Sequence, residues 1–397
     1  MTSAGPLGAA ALAADYADKL VLGTVRDVHQ AVAARAHGAV HTVAGGATVP
    51  HRVHDGIARG VYAGIGLGLR GAARGLRAAD RAGIGAPLEE TPRGRFVVSV
   101  VNGFVGDRLR DEAPEHFFEM GVRLAGRDVV LERGDVAAAY PTATDALVVF
   151  VHGLSECEAH WDRAVRPRRD TVVPGYAGRL AGEGWSPVQV RVNTGLSLQE
   201  NGVALASLLD RLVAAWPEEV RRVALVGHSM GGLVLRAACA VSTDSPRAWT
   251  DLVTDVVTLG TPHLGAPLER LANAGAHTLG RLPESAPFGR ILEFRSPGIL
   301  DLRRGLAADV QNLPHARYHL VAATLTRSAR NPLAETVGDL LVPFSSAVGR
   351  PRRGPHAGIE MFPGADVLHV PRAGHFDLLN HDAVHEALAT WLRKEAR

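Results

Sequence analysis

The chain has 397 residues, 46% of them hydrophobic, enough for one large domain with an extension or for two domains. A formal net charge of +2 and an aromatic content of 5% exclude the strongly basic, aromatic-rich pattern of a nucleic-acid binder. The two cysteines, Cys157 and Cys239, make no disulfide framework and are read as reduced and structural.

Residues 1–88 are rich in alanine and glycine and are expected to be a helical N-terminal extension. Leu20, Val21, Val25, Val28, Val32 and Ala33 recur at helical spacing and predict an amphipathic helix near 14–36. A second helical segment is expected near 53–82, with Gly60, Gly64 and Gly68 at four-residue intervals. Its apolar run from Val61 to Leu69 lies between Arg59 and Arg70 and is too short to span a bilayer. Two readings stand for this region. One is a helical hairpin packed on the main domain. The other is a peripheral contact with a lipid surface or partner through the basic face of Arg70, Arg74, Arg77 and Arg81. Thr2–Ala14 has no basic stretch before it and is not leucine-rich, so the expected location is cytoplasmic.

The second domain is expected over 95–397. Val97, Val100, Val101, Phe104, Val105 and Leu109 keep helical spacing. Residues 120–124 and 129–132 flank Ala125-Gly126-Arg127-Asp128 as a hairpin. Ala146–Val151 is the most apolar strand and ends in His152-Gly153-Leu154. In acyl-transfer sites a backbone donor for the oxyanion comes from the loop after such a strand, which nominates the Leu154 N–H. Trp161 either walls a pocket or packs in the core. Val188–Val192 is the next strand. Ser197-Leu198-Gln199-Glu200 is a capping box that opens a helix stopped at Trp216-Pro217.

Val223–Val226 then runs into Gly227-His228-Ser229-Met230-Gly231-Gly232, with a helix from Leu233 to Ala240. The segment fits G-x-S-x-G. A nucleophilic serine projects from a strained strand-to-helix turn, and the glycines on either side let strand and helix approach. Ser229 is the candidate nucleophile, and the Met230 N–H the second oxyanion donor. Alternation of strand and helix implies a parallel sheet with right-handed crossovers.

Val253–Leu259 is another strand, ending in Gly260-Thr261-Pro262-His263-Leu264-Gly265. Residues 266–315 break the rhythm with many leucines and isoleucines and are read as a helical lid insert or as a surface excursion. Further strands are expected at 318–325 and 367–370, and a helix presents Val384, Leu388, Trp391 and Leu392. A serine nucleophile needs a base and a carboxylate to orient it. His375, after the last strand, is the candidate base; His369, His381 and His385 fall in or beside regular elements. Asp339, in the Gly338-Asp339 turn, is the candidate acid, with Asp366 as the alternative.

Residues 120–397 resemble the α/β-hydrolase superfamily of lipases and esterases. The resemblance rests on Val151-His152-Gly153-Leu154, the elbow, Gly260–Gly265, Gly338-Asp339 with Val342-Pro343 and Ser345-Ser346-Ala347, and Ala373-Gly374-His375. The Thr-Pro-His-x-Gly segment is similar to triacylglycerol lipases and to the inositol-deacylase-like branch that remodels GPI anchors. The resemblance implies an α/β-hydrolase fold, a mainly parallel sheet with helices on both faces. It implies a carboxylic-ester hydrolase acting on a small acyl ester or lipid through Ser229, His375 and Asp339, with no metal or cofactor. An acyltransferase on the same fold and a non-catalytic lipid-binding or scaffold protein are the alternatives.

Overall fold

The structure is a computed structural model that describes residues 91–162, 174–241, 248–266, 296–306, 310–351 and 357–393, with isolated residues at 11, 67, 71, 74, 75, 78 and 82. The chain divides into two compact units, Met1–Gly94 and Arg95–Arg397. The helices expected near 14–36 and 53–82 lie almost entirely outside the described residues. Among the described residues no helix is long and apolar enough to cross a membrane.

The elements run in the order α1 (Pro92–Glu112), β1 (Gly121–Leu124), β2 (Arg127–Asp128), α2 (Arg133–Ala139), β3 (Ala146–Val151), α3 (Tyr176–Gly182), β4 (Ser186–Arg191), α4 (Leu198–Ala215), β5 (Arg222–His228), α5 (Met230–Cys239), β6 (Val253–Leu259), α6 (Pro297–Arg304), β7 (Arg317–Thr324), α7 (Pro332–Thr336), α8 (Phe344–Ala347), β8 (Asp366–Pro371) and α9 (Asp382–Trp391). The strands form one sheet in the order β2-β1-β4-β3-β5-β6-β7-β8. β1 pairs antiparallel with β2 and β4, and β3 to β8 are parallel.

The alternation of side chains along each strand builds two cores. Leu147, Val149 and Val151 of β3 face one way, with Val223 and Leu225 of β5, and meet Leu205, Leu209 and Leu212 of α4 and Leu233 and Val234 of α5. Ala146, Val148 and Phe150 face the other way, with Ala224 and Val226, and meet Tyr176, Ala177 and Leu180 of α3 and Val384 and Leu388 of α9. Strands buried on both faces carry unbroken apolar runs, which is why β3 and β5 stand out in the sequence. The fold is therefore an α/β-hydrolase sandwich of helices, sheet and helices.

Local signals explain several boundaries. The Ser197–Glu200 capping box forms with both halves in place. Trp216 leaves α4 with extended backbone, ψ 136°, as the residue before a proline must. α1 is kinked at Val105, whose φ of −137° is not helical. Next to the kink the Gly106 backbone lies against the Asn193 side chain, and the buried Asn193 amide donates to Asn102 Oδ1 at 2.9 Å. The predicted hairpin differs in one respect: its second strand is Arg127–Asp128, followed by a single bond from Val129 N–H to Val122 O, and residues 130–132 already lead into α2. The expected insert at 266–315 falls largely outside the described residues; within it α6 is capped by the Ser296 hydroxyl.

Candidate active site

The site stands at the C-terminal ends of the parallel strands. Val151 and Gly227 are register partners, so the loop after β3 and the turn after β5 emerge side by side. Ser229 sits between β5 and α5 with φ 52° and ψ −123°, a left-handed conformation that costs a non-glycine residue roughly 1–3 kcal/mol. The two elbow glycines make the turn sterically possible. A Cβ on Gly227 would lie 2.6 Å from Gly232 N, and a Cβ on Gly231 would run into the carbonyls of Val151 and His152. The Ser229 N–H is held by Leu259 O at 2.8 Å, which ties the turn to β6. α5 starts at Met230, earlier than the sequence suggests, because the glycine pair fits in its first turn. Met230 is thus the first helical residue, and its N–H has no acceptor within the helix.

The loop after β3 is fixed by several bonds. A Cβ on Gly153 would lie 2.9 Å from Ser229 Cβ, so this backbone abuts the serine. The Gly153 carbonyl accepts from Glu156 N at 3.1 Å and from His152 Nδ1 at 3.0 Å. His152 Nε2 accepts from Val192 N–H at 3.0 Å, which places the ring's single proton on Nδ1. Burial pushes the His152 pKa down and keeps that ring neutral. Because the peptide is planar and trans, a pinned Gly153 carbonyl sets the opposite direction of the Leu154 N–H. The Leu154 N–H has no acceptor among the described residues.

Asp339 and His375 come from loops after adjacent strands. The Asp339 turn has Gly338 at φ 56° and Leu340 at φ 90°. Asp339 Oδ1 accepts from the backbone of Leu341 at 2.9 Å and Val342 at 2.8 Å, and Oδ2 lies 2.7 Å from His375 Nδ1. The His375 N–H donates to the Asp339 carbonyl at 3.0 Å, so main chain and side chain are both matched. Ser229, Asp339 and His375 are 8%, 1% and 3% exposed. Among the described residues no hydrogen bond joins Ser229 to His375; they meet through His228, whose ring centroid is 4.7 Å from that of His375. Such bonds are often long without substrate and tighten when it binds.

The other candidates lie elsewhere. Asp366 starts β8 and pairs with His319 Nδ1 at 3.0 Å, at the far end of the sheet and about 17 Å of strand from its C-terminal end. His369 bonds Thr324 Oγ1 at 2.8 Å, His381 caps α9, and His385 bonds Asn380. Trp161 is fully buried with Phe150 and Tyr176, which makes it a core residue. The Gly260–Gly265 and Ser345–Ala347 segments lock each other. The Ser346 hydroxyl donates to Gly265 O at 2.8 Å and accepts from Leu264 N at 3.1 Å. His263 is buried against Phe362, and burial pushes its pKa well down.

Two residues of the site were not singled out in the sequence. Glu156 and His228 form a buried ion pair, Oε1 to Nδ1 at 2.8 Å. Burial disfavours both charges, yet their mutual attraction holds the Glu156 pKa down and the His228 pKa up. The only sequence signal was an acidic residue three positions after the glycine of a His-Gly loop.

The arrangement has the parts of serine-hydrolase chemistry: a serine on a strained elbow, a histidine oriented by a carboxylate, and the Gly153 backbone against the serine. No curated protein matches the chain. Among solved structures, a Bacillus licheniformis lipase in propeptide form is 21% identical, with a TM-score of 0.42, over 63% of this chain and 50% of that one. The match thus spans half the length of that lipase. A Pyrococcus furiosus esterase is 16% identical with a TM-score of 0.43, over 63% of this chain and 82% of the other. The sequence pattern described as the alpha/beta hydrolase family matches residues 148–387, from β3 through the elbow to α9. The chain belongs to the alpha/beta hydrolase family.

Proposed function

We propose that the chain is a carboxylic-ester hydrolase acting on small acyl esters or lipids. The observation that supports this best is the buried Asp339–His375 pair at 2.7 Å, in loops that end beside an elbow serine. Ser229 attacks the ester carbonyl while His375 takes its proton. Asp339 keeps the His375 proton on Nδ1 and stabilises the imidazolium that forms. The N–H groups of Leu154 and Met230 donate to the oxyanion of the tetrahedral intermediate. His375 then gives its proton to the leaving alcohol, and water, activated by the same histidine, releases the acid.

An apolar rim favours an acyl substrate. Phe376, next to His375, and Leu340, next to Asp339, are each 53% exposed, and the Phe376 ring meets the His375 ring edge-on at 5.5 Å. Residues 95–397 are the catalytic domain in this reading, and 1–88 a helical extension. The basic face of Arg70, Arg74, Arg77 and Arg81 suits that extension to contact with an anionic lipid surface. Two free, buried cysteines fit a reducing cytoplasmic location. The test is hydrolysis of p-nitrophenyl esters. Wild type is expected to turn over butyrate or a longer ester, and Ser229→Ala to remain at background. Equal rates for the two proteins contradict the reading.

A further inference from the structure

Glu156 and His228 are almost wholly buried, at 3% and 0% exposed, and neither has a role in the bond-making steps above. Their contacts reach the oxyanion loop, the elbow and the His375 loop. Glu156 Oε2 accepts from the Gly153 N–H at 2.8 Å, on the loop that carries the Leu154 amide. Glu156 Oε1 lies 2.8 Å from Nδ1 of His228, the residue immediately before the nucleophile. His228 Nε2 lies 3.2 Å from the His375 carbonyl oxygen. From His375 the N–H passes to the Asp339 carbonyl at 3.0 Å.

The proton count on this chain is fixed by its ends. A carbonyl oxygen only accepts, so His228 Nε2 carries a hydrogen. Between Nδ1 and the carboxyl oxygen at 2.8 Å two lone pairs would repel, so one of the two groups carries a proton, and the attraction that raises the His228 pKa and lowers that of Glu156 puts it on Nδ1. The His228 Nδ1–H is turned off the line of a straight hydrogen bond, so the attachment to Glu156 is chiefly ionic. The imidazolium therefore holds a carboxylate on one side and the main chain of the catalytic base on the other.

Resting on the reading of Ser229 as nucleophile, we infer that Glu156 and His228 are positioning residues, an ionic strut that holds the oxyanion loop and the His375 loop in register with Ser229. The Gly153–Leu154 peptide has a fixed direction only while the residues around it are fixed. Glu156 supplies two of those anchors, its backbone N–H to the Gly153 carbonyl and its side chain to the Gly153 N–H. Loss of the carboxylate removes one anchor and leaves His228 without its counter-charge beside the elbow. The effect falls on transition-state binding, because the Leu154 amide meets the oxyanion and not the ground-state carbonyl.

The experiment compares wild type, Glu156→Ala and Glu156→Gln by ester kcat and KM, and by inhibition with an alkyl trifluoromethyl ketone, whose adduct places an oxyanion in the same position. Glu156→Ala is expected to lose about 100-fold in kcat, the scale of one oxyanion donor, with KM within about threefold. Ketone inhibition weakens by the same factor. Glu156→Gln keeps an acceptor for Gly153 N–H and an amide toward His228, and restores kcat to within about tenfold of wild type. If Glu156→Ala does not fold, His228→Gln carries the test, losing kcat and ketone inhibition in parallel while Glu156→Gln stays within about tenfold of wild type. The inference is overturned if kcat holds in Glu156→Ala. It is overturned equally if kcat falls while ketone inhibition does not, or if the Ala and Gln variants lose the same activity. A wild type with no Ser229-dependent esterase activity overturns the proposed function instead.

Discussion

The two ends of the sheet each carry a buried histidine held by carboxylates, and only one end has the parts of a hydrolase. At the N-terminal ends of the strands, His319 sits between Asp366 at 3.0 Å from Nδ1 and Asp255 at 3.1 Å from Nε2, and its ring stacks on Trp391 at 4.6 Å. Asp255 is also paired with Arg317 at 3.0 Å and Arg222 at 3.6 Å. Burial alone would raise the Asp255 pKa, but His319, Thr254 and Arg317 together hold it down. Both nitrogens of His319 are committed to carboxylates, so the ring has no free lone pair with which to take a proton. His375 differs: among the described residues only Nδ1 is engaged, by Asp339. A carboxylate–imidazole pair is therefore not itself a catalytic signature. What separates the ends is a nitrogen with no partner among the described residues and a strained serine on the turn whose His228 packs against that ring.

Substitutions at the two ends sharpen this contrast. The largest loss is expected at the C-terminal end. Ser229→Ala and His375→Ala lower kcat by on the order of 10⁴ or more, by the scale of triad knockouts. Asp339→Asn costs about 10⁴, because the amide favours the wrong His375 tautomer. Steady-state rates on one p-nitrophenyl ester check all three. At the other end, Asp366→Asn and His319→Gln leave kcat within about threefold. Asp366 is 61% exposed on its side chain, so its loss is worth roughly 0–1 kcal/mol of stability. His319→Gln lowers the melting temperature more, since it strips a partner from the fully buried Asp255. A tenfold kcat loss in Asp366→Asn breaks the comparison.

Much of this is legible in the sequence. β3 and β5 are continuous apolar runs because both faces are covered, and the elbow follows β5 directly. The order of elements then assigned Asp339 and His375 to loops after successive strands. Asp366 could not be set aside from sequence, since the direction of β8 relative to its neighbours decides which end it occupies. The Glu156–His228 pair was not legible either. Its partners lie 72 positions apart in the chain and meet only because β3 and β5 are adjacent. Trp161 was ambiguous for the same reason, as nothing local tells which side of the sheet its loop covers. Almost all of residues 1–88 and most of 266–315 lie outside the described residues.

Smaller effects refine the chemistry of the C-terminal end. With an apolar rim at Phe376, each added acyl methylene is expected to contribute up to roughly 0.8 kcal/mol, about fourfold in kcat/KM, over the first few carbons. Phe376→Ser flattens that rise and leaves acetate hydrolysis within about threefold; a series that peaks at acetyl contradicts it. The Glu156–His228 pair also predicts the pH dependence of stability. The His228 pKa is raised above 6.5, so its contribution is full below pH 6.5 and is lost as pH rises through the folded value. The Glu156 pKa is lowered from 4.5, so its contribution is present above pH 4.5 and is lost as pH falls toward the folded value. Melting temperature of wild type minus Glu156→Gln is expected to be greatest between those limits and to shrink on either side. A difference independent of pH contradicts the ionic pair.

The most direct measurement is site-mapped labelling with a fluorophosphonate, read by intact mass and by peptide mass spectrometry. The account predicts a single adduct on Ser229, no adduct in Ser229→Ala, a labelling rate that falls sharply in Asp339→Asn, and an unchanged rate in Asp366→Asn. An adduct on another residue, or labelling that survives Ser229→Ala, contradicts it.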